Sequence, residues 1–169
     1  MSFVLPIVSM IGTGLQAAGQ IQAGNTEAAN LRTKAASEEA NANTATMQAQ
    51  QAKTAGEYEV AKLERQKKQA LSTQRALYAK SGVLISEGSP LEVQADTATE
   101  YQMDINASKY NTAIEVKQYE YESEWSRSLA SYYSSSAKSA KSAGYLNAGS
   151  TLLTGTFNAL KTLPTSTKK

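Results

Sequence analysis

Ser81-Gly82-Val83-Leu84-Ile85-Ser86-Glu87-Gly88-Ser89-Pro90 is the stretch that divides this 169-residue chain. Gly82 can take the left-handed C′ conformation that closes a preceding helix. Ser89 can then cap a new helix, with Pro90 at its first position and Glu92 reaching back from its third, a capping box. Away from this turn, prolines stand only at Pro6 and Pro164, so both flanking segments can run as uninterrupted helices. The reading is an all-α fold: a long, extended helical hairpin with helices over about residues 15–80 and 90–142, joined by Gly82 to Ser89.

The first helix carries a heptad seam. Counting by sevens from Ile21 gives Ala28, Ala35, Ala42, Ala49, Gly56, Leu63, Ala70 and Leu77, with Gly24, Leu31, Ala45 and Ala52 between them. Sustained heptads argue for a coiled coil, while small seam residues let backbones approach closely but bury little area per contact. Glu38, Glu59 and Gln66 also fall at intermediate positions and make the seam imperfect. Such an Ala-rich heptad helix forms readily but holds itself weakly, so an oligomeric assembly, a homo-oligomer, is expected. The competing reading is a low-complexity Ala/Gln/Thr stretch over 25–56 that is partly disordered in isolation.

The second helix has two stripes. Met103, Ala107, Tyr110, Ile114, Gln118, Tyr121, Trp125, Leu129 and Tyr132 recur at three or four residues, the period of a straight α-helix. Ala98, Tyr101, Ile105, Val116 and Tyr119 lie roughly opposite. A helix apolar on two sides wants neighbours on two sides. Aromatics at this spacing are packing anchors, so Met103, Tyr110, Ile114, Tyr121, Trp125, Leu129 and Tyr132 are the candidate oligomer interface.

Charge divides the chain further. The first charged residue is Glu27, and no charge occurs from Ser142 to Leu160. Five segments follow: an apolar small-residue N-terminus (1–24), the Ala/Gln-rich helix (25–80), the turn (81–89), the aromatic helix (90–142), and an apolar Gly-rich C-terminus with a basic tail (143–169). The 17 basic and 15 acidic residues are unevenly placed, basic in excess before the turn and acidic after it, which suits helices lying against each other, as plain solvated faces would also allow. Residues 134–144 read as a small-residue linker or loosely packed helix. The uncharged N-terminal run makes a poor signal peptide, without a basic residue before Phe3 to Ile11 and with Pro6 inside it, so first use in a cytoplasm is expected. Glutamines 16, 20 and 22 also make a single-span anchor doubtful. In an oligomer both uncharged termini are expected to meet membrane, with Leu5, Ile7, Leu152 and Phe157 outward and Gly14, Gly144 and Gly155 allowing close packing. Docking of both termini on other proteins is the competing view.

Enzyme chemistry lacks its parts. The chain has no cysteine and no histidine, which removes thiol nucleophiles, imidazole bases, disulfides and the usual zinc or haem sites. Gly12-Thr13-Gly14 is not spaced as a dinucleotide fingerprint, and Ser135 with Lys138 matches S-x-x-K without any supporting signature. No catalytic, metal or cofactor-binding residue is expected. Lys62, Arg65, Lys67 and Lys68 form the sole anion-binding candidate, spread over more than one helix face with Glu64 among them.

The apolar small-residue N-terminus, the Ala/Gln-rich helix, the turn from Gly82 to Pro90 after Tyr78-Ala79-Lys80-Ser81, the helix opening Leu91-Glu92-Val93 and Ala95-Asp96-Thr97-Ala98, and the Gly/Ala/Ser-rich C-terminus together resemble the small internal virion (ejection) protein of short-tailed bacteriophages. The resemblance spans nearly the whole chain and is most specific at the turn. It implies a non-enzymatic protein inside the capsid near the portal, ejected ahead of the genome to form part of a channel in the host envelope, with the outer membrane as the expected site. It implies as partners copies of itself, other internal virion or ejection proteins, portal or tail proteins, the host envelope membrane, and DNA passing without sequence-specific binding. The alternative is a static portal or tail adaptor that stays in the particle.

Overall fold

The computed structural model describes the backbone of residues 4–84 and 88–161 and the side chains of residues 12–84 and 88–158. Two α-helices, α1 (Val4–Lys80) and α2 (Ser89–Lys161), make up its regular structure, and no strand occurs among the described residues. Both run past the expected 15–80 and 90–142. Pro6 does not interrupt α1, because it stands in the first turn, where a missing N–H breaks no intrahelical bond. Residues 134–144 are helical rather than a linker, with Ser139 and Ser142 donating to the carbonyls four residues back, Ser135 and Lys138, at 3.3 and 3.1 Å.

The turn closes α1 with a Schellman motif. Gly82 has φ +71°, its N–H donates to the Ala79 carbonyl at 3.3 Å, and Val83 N–H donates to the Tyr78 carbonyl at 3.2 Å. Gly88, at φ +69°, opens α2: its carbonyl accepts from Leu91 N–H at 3.0 Å and from Glu92 N–H at 3.3 Å. The cap therefore stands one residue earlier than the Ser89 expected from the capping box. Ser89 and Pro90 occupy the first turn, where proline still costs no hydrogen bond.

The chain divides into two bodies, residues 41–125 around the turn and residues 1–40 with 126–169 at the termini. In the turn body α2 runs antiparallel to α1, as Thr46 pairs with Ser123 at one level and Arg75 with Gln94 nearer the turn. In the terminal body Gln20 pairs with Thr151, and Lys34 Nζ lies 5.8 Å from the Tyr133 ring centre.

The buried apolar residues among those described are eight alanines (17, 28, 42, 45, 49, 130, 137 and 148) and Ile105, with no large side chain fully buried. Each alanine methyl contributes only about 0.8 kcal/mol, where a buried Leu or Phe would contribute about 1.5–3. The buried or half-buried side of α1 follows the heptad count from Ala28 to Gly56, then turns by one residue: Val60 and Lys67 take the places expected of Glu59 and Gln66, which are exposed. A helix of 3.6 residues per turn drifts against a 3.5-residue repeat by about 20° per heptad, enough to shift the contact over this length.

Candidate interaction surface

Of the two stripes on α2, the shorter one meets α1. Ala98, Tyr101, Ile105, Val116 and Tyr119 are buried or half-buried, and Ser123, Ser126 and Ala130 continue that side. The longer stripe faces away. In the turn body Met103, Tyr110, Ile114, Tyr121 and Trp125 are exposed, with Tyr110, Tyr121 and Trp125 67–68% accessible. In the terminal body Tyr132 is exposed and Leu129 half-buried. Close approach explains the choice: a Cβ built on Gly56 would collide with the Thr112 side chain, so the space between the helices admits small side chains and the edges of large ones.

Polar groups fill what the alanines leave. Thr46 donates to the Ala42 carbonyl at 2.9 Å, which leaves the Ser123 hydroxyl to donate to Thr46 Oγ1 at 2.9 Å. Arg75 Nε donates to Gln94 Oε1 at 3.0 Å, and Gln94 Nε2 donates to the Pro90 carbonyl at 3.1 Å. Gln74 Nε2 donates to Thr97 Oγ1 at 2.8 Å, while Gln74 Oε1 is buried with no partner among the described residues. Of the expected anion-binding residues, Lys67 reaches Gln102 Oε1 at 3.2 Å and Lys62 pairs with Glu59 at 3.2 Å on its own helix. Arg65 and Lys68 are exposed.

Acids border the outer stripe of α2. Glu122 lies on one side and Glu120 and Glu124 on the other, by the 100° turn per residue, and all three are exposed. Lys117 hydrogen-bonds Glu120, and that bond together with the carboxylate charge raises the lysine above its ordinary value. The outer side of α1 carries an apolar series that the heptad count passed over, Met47 and Tyr58, both exposed, followed by Arg65. Its steps of eleven and seven residues place all three on one helix face, which a reading of the outer positions could have found.

In the terminal body the small residues already serve the contact between α1 and α2. A Cβ on Gly24 would stand 2.9 Å from the Ala140 carbonyl oxygen and from Gly144 Cα, and one on Gly155 would collide with Thr13. A Cβ on Gly14 would meet no other part of the protein within 4 Å. Leu152 and Phe157 are exposed, whereas the side chains of Leu5 and Ile7 lie outside the described residues. Thr151 donates to Gln20 Oε1 at 3.1 Å and stands 3.0 Å from the Asn147 carbonyl. Thr154 donates to the Ser150 carbonyl at 2.9 Å. Among the described residues no helix is long and apolar enough to cross a membrane, and no group of acidic side chains is arranged to hold a metal ion.

The chain thus presents alanine-faced helices, an outward aromatic stripe and a glycine-closed turn. No curated protein and no solved structure matches it. Residues 2–169, which include the turn and both helices, match the T7 virus internal virion protein gp14 family, and the chain belongs to that family as a phage internal virion protein, a component of the virus particle.

Proposed function

We propose that this protein waits inside the capsid near the portal, leaves with or ahead of the genome, and assembles with copies of itself and other ejected virion proteins into part of a conduit through the host envelope. The observation that supports this best is the inverted distribution of side chains in the helix pairs. Alanines and glycines are used between α1 and α2, while Tyr110, Tyr121 and Trp125 are left to water. A contiguous exposed aromatic stripe marks a surface that a partner covers. Met103, Tyr110, Ile114, Tyr121, Trp125, Leu129 and Tyr132 form that oligomer contact, and the portal or tail proteins hold the chain before release.

The uncharged ends of α1 and α2 are the membrane-facing parts of the assembled state. Among the described residues no helix has the apolar length to insert alone, so insertion belongs to the assembly, with Leu152 and Phe157 outward and the Thr154 hydroxyl satisfied on its own helix. DNA passes without base-specific contact.

Immunoblotting of particles before and after triggered genome release tests the reading. Loss of the protein on release, with leakage of liposomes by the assembled full-length chain, is the expected result. Retention in the emptied particle would instead assign a static portal or tail adaptor.

A further inference from the structure

Resting on the outer stripe of α2 as an assembly contact, the structure assigns its partner: we infer that the stripe docks on the outer side of α1 of a second copy, head to tail. In the turn body the two helices face each other through Ala45, Ala49 and Gly56 on α1 and Ser123, Val116 and Thr112 on α2. Their outer sides therefore point in opposite directions, α2 with Tyr121 and Trp125, α1 with Tyr58 and Arg65.

Charge decides between the two ways such surfaces can meet. Contact of α2 with α2 of another copy, centred on Tyr121 and Trp125, would set Glu120, Glu122 and Glu124 against the same acids, and like charges at an interface oppose association. Contact of α2 with α1 sets them beside Lys62, Arg65 and Lys68 once the second copy is displaced along the helix axis by about 27 Å, because Thr46 stands level with Ser123 and Lys67 with Gln102 in one copy. Arg65 and Tyr58 also offer a guanidinium and a ring to Tyr121 and Trp125, the cation–π and edge-to-face contacts that aromatic anchors favour.

The symmetry follows from the placement. Because each copy donates one surface and receives on the opposite one, the contact is heterologous: it propagates from copy to copy and closes into a ring or continues as a helix of subunits. An isologous dimer would leave the α1 surface uncovered.

Sedimentation velocity of the full-length chain and two charge-reversed variants tests this. Glu120, Glu122 and Glu124→Lys alone, and Lys62, Arg65 and Lys68→Glu alone, should each assemble at least about tenfold more weakly, with helix content by circular dichroism unchanged. Mixed in equal amounts, the two variants should assemble again, alternating along the chain of copies, since each reversed surface then meets its complement. Trp125→Ala should weaken assembly about thirtyfold. A wild-type chain that stays monomeric, assembly of the Glu→Lys variant at wild-type strength, or a mixture that fails while both variants remain helical would overturn the inference. Retention of the protein in emptied particles would leave these results untouched, so failure of the ejection reading is separable.

Discussion

In the turn body α1 and α2 are tied by side-chain hydrogen bonds, Thr46 with Ser123, Lys67 with Gln102 and Arg75 with Gln94. In the terminal body such a bond, Thr151 to Gln20, stands beside a tie of backbone against backbone at Gly24 and Gly144. Both bodies bury little but alanine, so neither has an aliphatic core to fall back on. The difference shows two ways of holding a thin helix pair. Polar ties fail when a partner is removed, and close backbone contacts fail when a methyl group is added.

The largest effect should come from Gly24→Leu. The added side chain meets the Ala140 carbonyl and Gly144 Cα, which cannot rotate away, so the helices must part at a cost of about 2–3 kcal/mol. Hydrogen exchange should rise over residues 12–40 and leave residues 41–80 protected; equal loss in both bodies would break the comparison. Gly149→Ala, with nothing within 4 Å, is the control and should be neutral or stabilise by up to about 1 kcal/mol.

Next is Gly82→Ala. At φ +71° any Cβ is strained, so the thermal midpoint should fall by the equivalent of about 1–2 kcal/mol. Here the protection should be lost nearest the turn, the reverse of the Gly24 pattern.

Ser123→Ala should cost about 1 kcal/mol in urea unfolding by removing a buried partner. Adding Thr46→Val should cost less than the two single changes together, because the hydroxyl that has lost its hydrogen bond from Ser123 goes as well. An additive pair would mean that the polar tie contributes nothing as a tie.

The smallest effect concerns pH. Lys117 is raised by Glu120, so the lysine's part in this pair is fully present at neutral pH, below the ordinary lysine value of 10.5, and fades as pH rises through the raised one. Lys117→Gln should therefore leave the pH profile of the thermal midpoint unchanged across the neutral range and alter it only in strongly alkaline solution.

Much of this was legible in the sequence, and the misreadings share a cause. Gly82 was readable because a left-handed residue must end a helix that no proline interrupts. The alanine seam was readable up to Gly56, after which the accumulated drift moved the contact to Val60 and Lys67. The cap at Gly88 rather than Ser89 reflects a positive φ that sequence pattern does not carry. The two stripes of α2 were both visible, but periodicity could not say which one meets α1. That answer depends on how near the helices come, a property of the partner: α1 offers alanine and glycine, so it takes the side holding Ala98, Thr112 and Ser123 and leaves Trp125 outside.

The glycines have one more consequence. A seam that repeats alanine every seven residues is nearly unchanged when one helix slides by a heptad, since Ala35 moves into the place of Ala28 and Ala49 into that of Ala42. Contacts of this kind give many alignments of similar energy, the situation in which a sequence fails to choose one structure. Gly24 and Gly56 break the degeneracy. A slide by seven would bring Leu31 to face Gly144, or Leu63 to face Thr112, where the structure has room only for a hydrogen. Two missing side chains thus set the alignment of the helices, and the alanines between them supply cohesion without preference.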